Sequence, residues 1–329
     1  MTMRDNPNEY ADDAALLADR DAALVEMVRW LAARSYRFTT VTPATHRRVN
    51  DRPENRAASS LEDIFGWSRP FDAAIVPDEL LALMRRAGIV FQHDDAWRCM
   101  ARVSTLGPWR LLHSAFPTDA PDAVFFGPDT YRFVNALQRH LDLVEPGLRI
   151  ARAVDIGAGA GPGAIAIAAA RPGAEVLAAD INPAAVRFAA LNAHLAGTSN
   201  VSACRSDLLR QVSGGFDLIV SNPPYLVDAG ERTYRHGGGP LGAGLSLAII
   251  DAALERLNPG GTLLLYTGSA IVRGQDAFRE AAVERLARAG FAWTYEELDP
   301  DVFGEELEQE AYAGADRIAA VWLTAKRTT

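Results

Sequence analysis

Asn222-Pro223-Pro224-Tyr225 is a tetrapeptide whose residue types and spacing amount to a chemical device. An amide or arylamine nitrogen is a poor nucleophile because its lone pair is delocalised into the neighbouring π system. The side-chain oxygen of Asn222 and the carbonyl of Pro223 can each accept one N–H from such a nitrogen. Held this way, the lone pair points at an electrophile at a near-attack separation of roughly 3–3.5 Å. Tyr225 can stack on the planar group, and the two prolines stiffen the backbone and offer no competing N–H. No strong base is required, because the nitrogen carries a very acidic proton once it has been alkylated. As structure alone, the same residues make a proline-rich turn that ends a strand.

A second device lies upstream. Asp155-Ile156-Gly157-Ala158-Gly159-Ala160-Gly161 sets three alternate glycines directly after a strand and before a helix, so that a ligand can approach the backbone with a helix N-terminus behind it. Nicotinamide and flavin enzymes use glycine turns too, but their Gly-x-Gly-x-x-Gly fingerprint needs glycine where this chain has Pro162. Asp180, closing the second strand, can accept hydrogen bonds from both hydroxyls of a ribose. Asp207, after the third strand, can accept from an adenine amino group, with Leu208 as the adjacent apolar or backbone contact. Either acid alone is as readily a helix cap; with the glycine turn, the two describe a nucleoside site.

The elements that must position these residues follow from the pattern. Ala151 to Ile156 is a short apolar run, Pro162 to Ala170 an alanine- and isoleucine-rich helix opening on proline, and Glu175 to Asp180 a second strand. Asn182 caps the next helix, Pro183 opens it and Gly197 stops it. Val201 to Cys204, Phe216 to Val220 and Thr262 to Tyr266 read as further buried strands. Ala281 to Ala289 reads as a helix, and Phe291 to Leu298 and Ile318 to Thr324 as an antiparallel hairpin joined by the acidic stretch Asp299 to Glu310. The expected fold is α/β: a mainly parallel, Rossmann-like sheet of seven strands with an antiparallel C-terminal hairpin, filling residues 119–329. The tetrapeptide then sits at the carboxyl edge of the sheet.

Residues 1–118 read as a separate α+β unit, a substrate-recognition or accessory domain. Helices are expected near Ala11 to Ala33 and Asp78 to Ala87, then strands near Ile89 to Phe91, Arg98 to Val103 and Arg110 to His113, a winged-helix-like layout. Arg29, Arg34, Arg37, Arg47, Arg48, Arg52 and Arg56 crowd one interval there, either a solvated surface or a strip that docks nucleic acid.

Composition narrows the function. The chain has 329 residues, 49% of them hydrophobic, and a formal charge of -9, which argues against a general basic coat for nucleic acid. No run of ~20 apolar residues is present, and acidic residues stand where a signal peptide would be basic, so no membrane partner and a cytoplasmic location are expected. Cys99 and Cys204 form no Cys-x-x-Cys pair, and no metal site is expected. Lys326 is the only lysine, which excludes a P-loop or Schiff-base lysine in the chain interior.

From Phe125 onward the sequence resembles the glutamine N5-methyltransferases that modify peptide release factors, and the related small-domain methyltransferases acting on nucleic-acid amino groups. Asp155-x-Gly-x-Gly-x-Gly looks like the first motif of class I methyltransferases. The resemblance also rests on Ala179-Asp180-Ile181-Asn182-Pro183-Ala184-Ala185-Val186 with Asn192, on Ser221 to Tyr225, and on Pro128-Asp129-Thr130 before a helix. Two features depart from the family pattern: Pro162-Gly163 looks like an insertion, and the arginine-rich N-terminal unit does not look like the family's helical recognition domain.

The resemblance implies S-adenosyl-L-methionine as cofactor, leaving as S-adenosyl-L-homocysteine, bound by Asp155, Gly157, Gly159, Gly161, Asp180, Ile181, Asp207, Leu208 and Asn222. Asn222, Pro223 and Tyr225 would act on the acceptor nitrogen. Asp129, Thr130, Pro224, Tyr225, Tyr234 and Arg235 are candidates for the substrate side. Tyr234 and Arg235, with Arg232 and His236, belong to the glycine-rich loop Val227 to Gly244, which is long enough to serve as a lid. A protein glutamine is the favoured acceptor. An exocyclic base amine of rRNA, tRNA or DNA, a small molecule, and a non-catalytic regulator that binds S-adenosylmethionine are the alternatives.

Overall fold

The computed structural model describes residues 7–147, 149–228 and 234–328. They gather in two compact units, Met1–Thr118 and Asp119–Thr329.

The first unit opens with the long helix α1 (Pro7–Ala33), which buries Ala23, Leu24, Met27, Val28 and Leu31 along one face. Thr42 caps α2 (Pro43–Asn50) by accepting the Thr45 N–H at 3.2 Å, and Ser60 caps α3 (Leu61–Phe65). Helix α4 (Asp78–Arg86) buries Leu80, Leu81 and Met84 and packs on α1. Two antiparallel hairpins follow, β1 (Val90–His93) with β2 (Ala96–Cys99), and β3 (Ala101–Leu106) with β4 (Trp109–Ser114). An antiparallel bridge from Phe71 to Trp97 adds a strand-like segment to the first hairpin. From α3 onward the order is helix, bridged segment, helix, hairpin, an α/β unit.

The seven arginines of the N-terminal interval are all exposed. Arg34 lies over the Trp30 ring, 3.5 Å from its centre, and pairs with Glu79 at 2.9 Å. Arg37, Arg47, Arg48, Arg52 and Arg56 form no ion pair among the described residues. Two arginines of the unit, Arg69 and Arg102, are instead buried, and Arg69 pairs with Asp63 and donates to Asn50 at 3.0 Å, tying α2 to α3.

The second unit is built on one sheet. Its strands are β5 (Arg152–Ile156), β6 (Glu175–Asp180), β7 (Val201–Arg205), β8 (Phe216–Ser221), β9 (Leu257–Val272), β11 (Ala292–Asp299) and β12 (Arg317–Lys326), in the spatial order β11-β12-β9-β8-β5-β6-β7. The two-residue β10 (Gln275–Asp276) folds back onto β9. Strands β5 to β9 run parallel to one another, and β12 runs antiparallel to both β9 and β11. The helices are α5 (Pro128–Arg139), α6 (Pro162–Ala170), α7 (Pro183–Ala196), α8 (Gly244–Arg256) and α9 (Ala277–Arg288). The central strands read as unbroken apolar runs because both faces are covered: Ala153, Val154, Leu218, Ile219, Leu263 and Leu264 have no exposed surface.

The expected seven-stranded sheet is present, with two differences in extent. Strand β9 runs six residues past Tyr266, the end expected from the sequence, because β12 pairs with it from Lys326 opposite Thr262 to Arg317 opposite Ile271. Helix α9 starts at Ala277, not Ala281, because the Asp276 carboxylate caps it by accepting the Arg279 N–H at 2.8 Å. Strand β5 lies between β6 and β8, so the chain order reverses across it; open α/β sheets bind ligands outside the carboxyl ends at such a point.

Candidate functional site

The glycine turn leaves β5 and enters α6. Its path is fixed by the neighbouring strand: the N–H groups of Gly157 and Ala158 both donate to the Ala179 carbonyl, at 2.8 and 3.1 Å, and Gly159 N–H donates to Asp180 at 2.8 Å. A side-chain carbon at Gly157 or Gly159 would meet nothing within 4 Å, so the turn borders open space on the side where a ligand would lie. Asp180 also accepts the Asn182 N–H at 2.9 Å. Ile181 beside it is 47% exposed, an apolar side chain standing in solvent at the sheet edge. Leu208 adopts a left-handed backbone (φ +50), which turns the chain just after Asp207, whose carboxylate pairs with Arg210. Open glycines, an acid at the second strand and a bare apolar neighbour make a cradle that could hold a nucleoside.

Asp155 faces inward. It is 1% exposed and accepts the Ala164 N–H at 3.0 Å, so it holds the first turn of α6 from behind the cradle. A side-chain carbon at Gly163 would lie 2.6 Å from this carboxylate and 2.7 Å from the Phe133 ring. The Pro162-Gly163 pair, an apparent insertion in the sequence, is thus a close approach between α6, α5 and Asp155. Gly163→Ala is expected to cost about 1–3 kcal/mol of stability through overpacking, measurable by urea denaturation.

Burial raises the Asp155 carboxyl to about 7, against the hydrogen bond from Ala164 and with the charge of Asp180 adding to the rise. Between an ordinary carboxylate pKa and 7, the native state holds a proton that the unfolded chain has released. Stability from this group therefore falls as pH climbs from about 4 to about 7, then levels off. Asp155→Asn should remove that slope: the difference between wild-type and variant urea midpoints should shift steadily against the wild type over this range.

The tetrapeptide follows β8. Ser221 donates its hydroxyl to the Ile156 carbonyl at 2.6 Å, locking the end of β8 beside the glycine turn. Asn222 is half-buried, Pro223 buried and Pro224 half-buried. Among the described residues no donor or acceptor occupies the Asn222 amide or the Pro223 carbonyl.

Tyr225 is held on three sides. Its hydroxyl donates to Asp129 at 2.5 Å, and the Tyr266 hydroxyl donates to the other oxygen of Asp129 at 2.7 Å. Arg132 adds a contact to Asp129 at 3.1 Å. The ring lies against the backbone of Gly268, where a side-chain carbon would be 2.1 Å from it. Only 6% of Tyr225 is exposed, so the ring offers an acceptor a narrow edge and chiefly supports the end of the tetrapeptide. Burial pushes the Asp129 carboxyl above its usual range, against the hydrogen bonds from both tyrosines and the charge of Arg132.

Other substrate-side candidates have structural work. Thr130 accepts the Gly127 N–H at 3.3 Å and donates its own N–H to the Gly127 carbonyl at 3.0 Å, a cap for α5. Arg235 pairs with Asp228 at 3.2 Å and with Glu306, so its guanidinium braces the loop and does not reach toward an acceptor. Tyr234 stacks on Phe125, with ring centres 5.6 Å apart. The described part of the glycine-rich loop is packed: Gly237 N–H donates to Leu226 at 2.8 Å and Leu245 N–H to Gly237 at 2.7 Å. His236 accepts the Asp228 N–H at 3.2 Å. Arg232 lies outside the described residues. Sequence reasoning missed Tyr266, Gly268 and Glu306, because each is an ordinary strand or loop residue until the sheet brings it to the tetrapeptide.

The model of the methyltransferase small domain family matches residues 133–272. The release factor glutamine methyltransferase of Moorella thermoacetica is 35% identical over 289 residues, 82% of this chain and 93% of that protein. Its counterpart in Deinococcus radiodurans is 40% identical over 124 residues, 35% of this chain and 44% of that protein. A 4-amino-L-phenylalanine/4-methylamino-L-phenylalanine methyltransferase of Streptomyces pristinaespiralis is 33% identical over 193 residues, 55% of this chain and 63% of that protein. The chain therefore spans less than half of the Deinococcus relative and less than two thirds of the Streptomyces one.

The matching family model and the long Moorella relative are both methyltransferases. The chain belongs to the release factor glutamine methyltransferase family. The match to the Moorella relative is too long for the second unit alone, so the likeness extends into the N-terminal unit and is not confined to residues after Phe125. No helix among the described residues is long and apolar enough to cross a membrane.

Proposed function

We propose that this enzyme methylates the side-chain nitrogen of a glutamine in a protein, with a peptide chain release factor as the acceptor. The observation that carries the proposal is the pair of unoccupied acceptors at Asn222 and Pro223, fixed beside the cradle by the Ser221–Ile156 hydrogen bond. A primary amide presents two N–H groups in one plane, which matches two acceptors from adjacent residues. When bound, S-adenosylmethionine supplies a methyl group on a positively charged sulfur. Gly157, Gly159, Gly161, Asp180, Ile181, Asp207 and Leu208 would hold it, and Asp155 shapes the turn from behind. Asn222 and Pro223 would accept hydrogen bonds from the two amide N–H groups and orient the lone pair, and Pro224 and Tyr225 keep that geometry rigid. After transfer one acidic proton passes to solvent, so no buried base is needed.

The Streptomyces relative is named for a small arylamine, 4-amino-L-phenylalanine, whose ring nitrogen substituent is also conjugated to a π system. The match across 93% of the Moorella protein favours the protein amide. A role for the exposed arginines of the first unit in docking the acceptor, or a nucleic acid, belongs to this proposal as well. Labelled S-adenosylmethionine supplied to a bacterial extract tests it: label should become acid-soluble on protease digestion. Release by nuclease instead would move the acceptor to a base amine.

A further inference from the structure

The acidic connection between β11 and β12 reads as a simple hairpin link, yet it meets the acceptor side of the site at four points. Asp299 pairs at 3.0 Å with Arg132, the residue that braces Asp129. Phe303 presents its ring edge-on to Tyr225, with centres 6.0 Å apart. Glu306, 4% exposed, pairs with Arg235. The Tyr312 hydroxyl accepts the Val227 N–H at 2.8 Å.

The groups so touched are Tyr225 itself, Val227 just after the tetrapeptide, Arg235, whose carbonyl accepts the Leu226 N–H, and Arg132, which pairs with the Asp129 that binds Tyr225. Of three consecutive amides after Tyr225, Val227 donates directly to Tyr312 of this connection, Leu226 donates to the carbonyl of Arg235, the residue that Glu306 pairs with, and Asp228 donates to the neighbouring His236. Phe303 also carries a left-handed backbone (φ +54), strained for a residue with so large a side chain. Strain of this kind persists where the surroundings over-determine it, and it concentrates at functional sites. The ring is only half-buried, so it covers Tyr225 and still borders solvent.

We infer that residues 299–312 form the wall of the acceptor pocket, and that Phe303 is a positioning residue that fixes the Tyr225 ring. The inference rests on the acceptor being held at Asn222, but it can be judged without an acceptor. Hydrogen exchange followed by mass spectrometry on the free full-length protein compares the wild type with Phe303→Gly and Glu306→Gln. Glycine accepts a positive φ without strain, so Phe303→Gly removes the ring while easing the backbone.

Exchange at residues 226–228 should rise about tenfold in both variants and stay unchanged at residues 157–161. With purified release factor as substrate, KM for the factor should rise about tenfold while the Kd of S-adenosylmethionine holds, and Phe303→Tyr should restore the wild-type KM. Wild-type exchange at residues 226–228 in both variants would overturn the wall. So would a uniform rise across the second unit, which marks a purely structural role. Failure of the wild type to label the factor counts against the acceptor alone, and the exchange result then decides the wall.

Discussion

Asn222→Ala is expected to cut kcat about 10²–10³-fold, the loss typical of removing one preorganised partner of the reacting group. The Kd of S-adenosylmethionine should stay within about twofold, because the cradle is built from the glycine turn and Asp180. The physical reason is that one acceptor, the Pro223 carbonyl, cannot orient a planar nitrogen alone: the group can rotate about that single hydrogen bond, and the lone pair leaves the line of attack. Asn222→Asp tests the same point differently. It keeps an acceptor oxygen but introduces a negative charge beside a cationic cofactor, so binding should persist while turnover falls. Single-turnover labelling with equilibrium binding measures both quantities; near-wild-type turnover in Asn222→Ala would refute the mechanism.

Gly268→Val should reduce methyl transfer about 10²-fold, since a displacement of about 1 Å at the reacting group has that effect. A side-chain carbon at this position would lie 2.1 and 2.2 Å from two carbons of the Tyr225 ring, so the ring must leave its seat. Leaving it breaks the hydrogen bond to Asp129, a carboxyl only 6% exposed, so the lost phenol partner is poorly replaced by solvent. Stability should fall as well, by about 1–3 kcal/mol for the overpacking. A mutant cycle separates the cause: in a Tyr225→Ala background, Gly268→Val should add little to the loss of rate. Additive losses would show that Gly268 acts on something other than the tyrosine.

The parts of this molecule that were legible in its sequence are those written in local chemistry. Glycine turns, strand-closing acids and the Asn182-Pro183 helix start are dictated by backbone conformation within a few residues, and they stand where the sequence puts them. The Asn-Pro-Pro-Tyr acceptors are legible for the same reason. What could not be read depends on long-range pairing. The extension of β9 is imposed by β12, some fifty residues later, and Gly268 matters only because that extension carries it under Tyr225. Arg235 looked like a substrate ligand because its partners, Asp228 and Glu306, are separated in sequence and Glu306 lies in what reads as a linker. Asp129 was identified as part of a motif, but its bonds to Tyr225 and Tyr266 join three elements that no local pattern connects.

The most direct test of the central claim is methylation of a purified release factor by the purified protein and labelled S-adenosylmethionine, with the modified residue located by mass spectrometry. The account predicts one methyl group on a single glutamine side-chain nitrogen, and none when Asn222→Ala replaces the wild type. A methyl group on oxygen, carbon or a backbone nitrogen, or label that enters RNA while the factor stays unmodified, would contradict it.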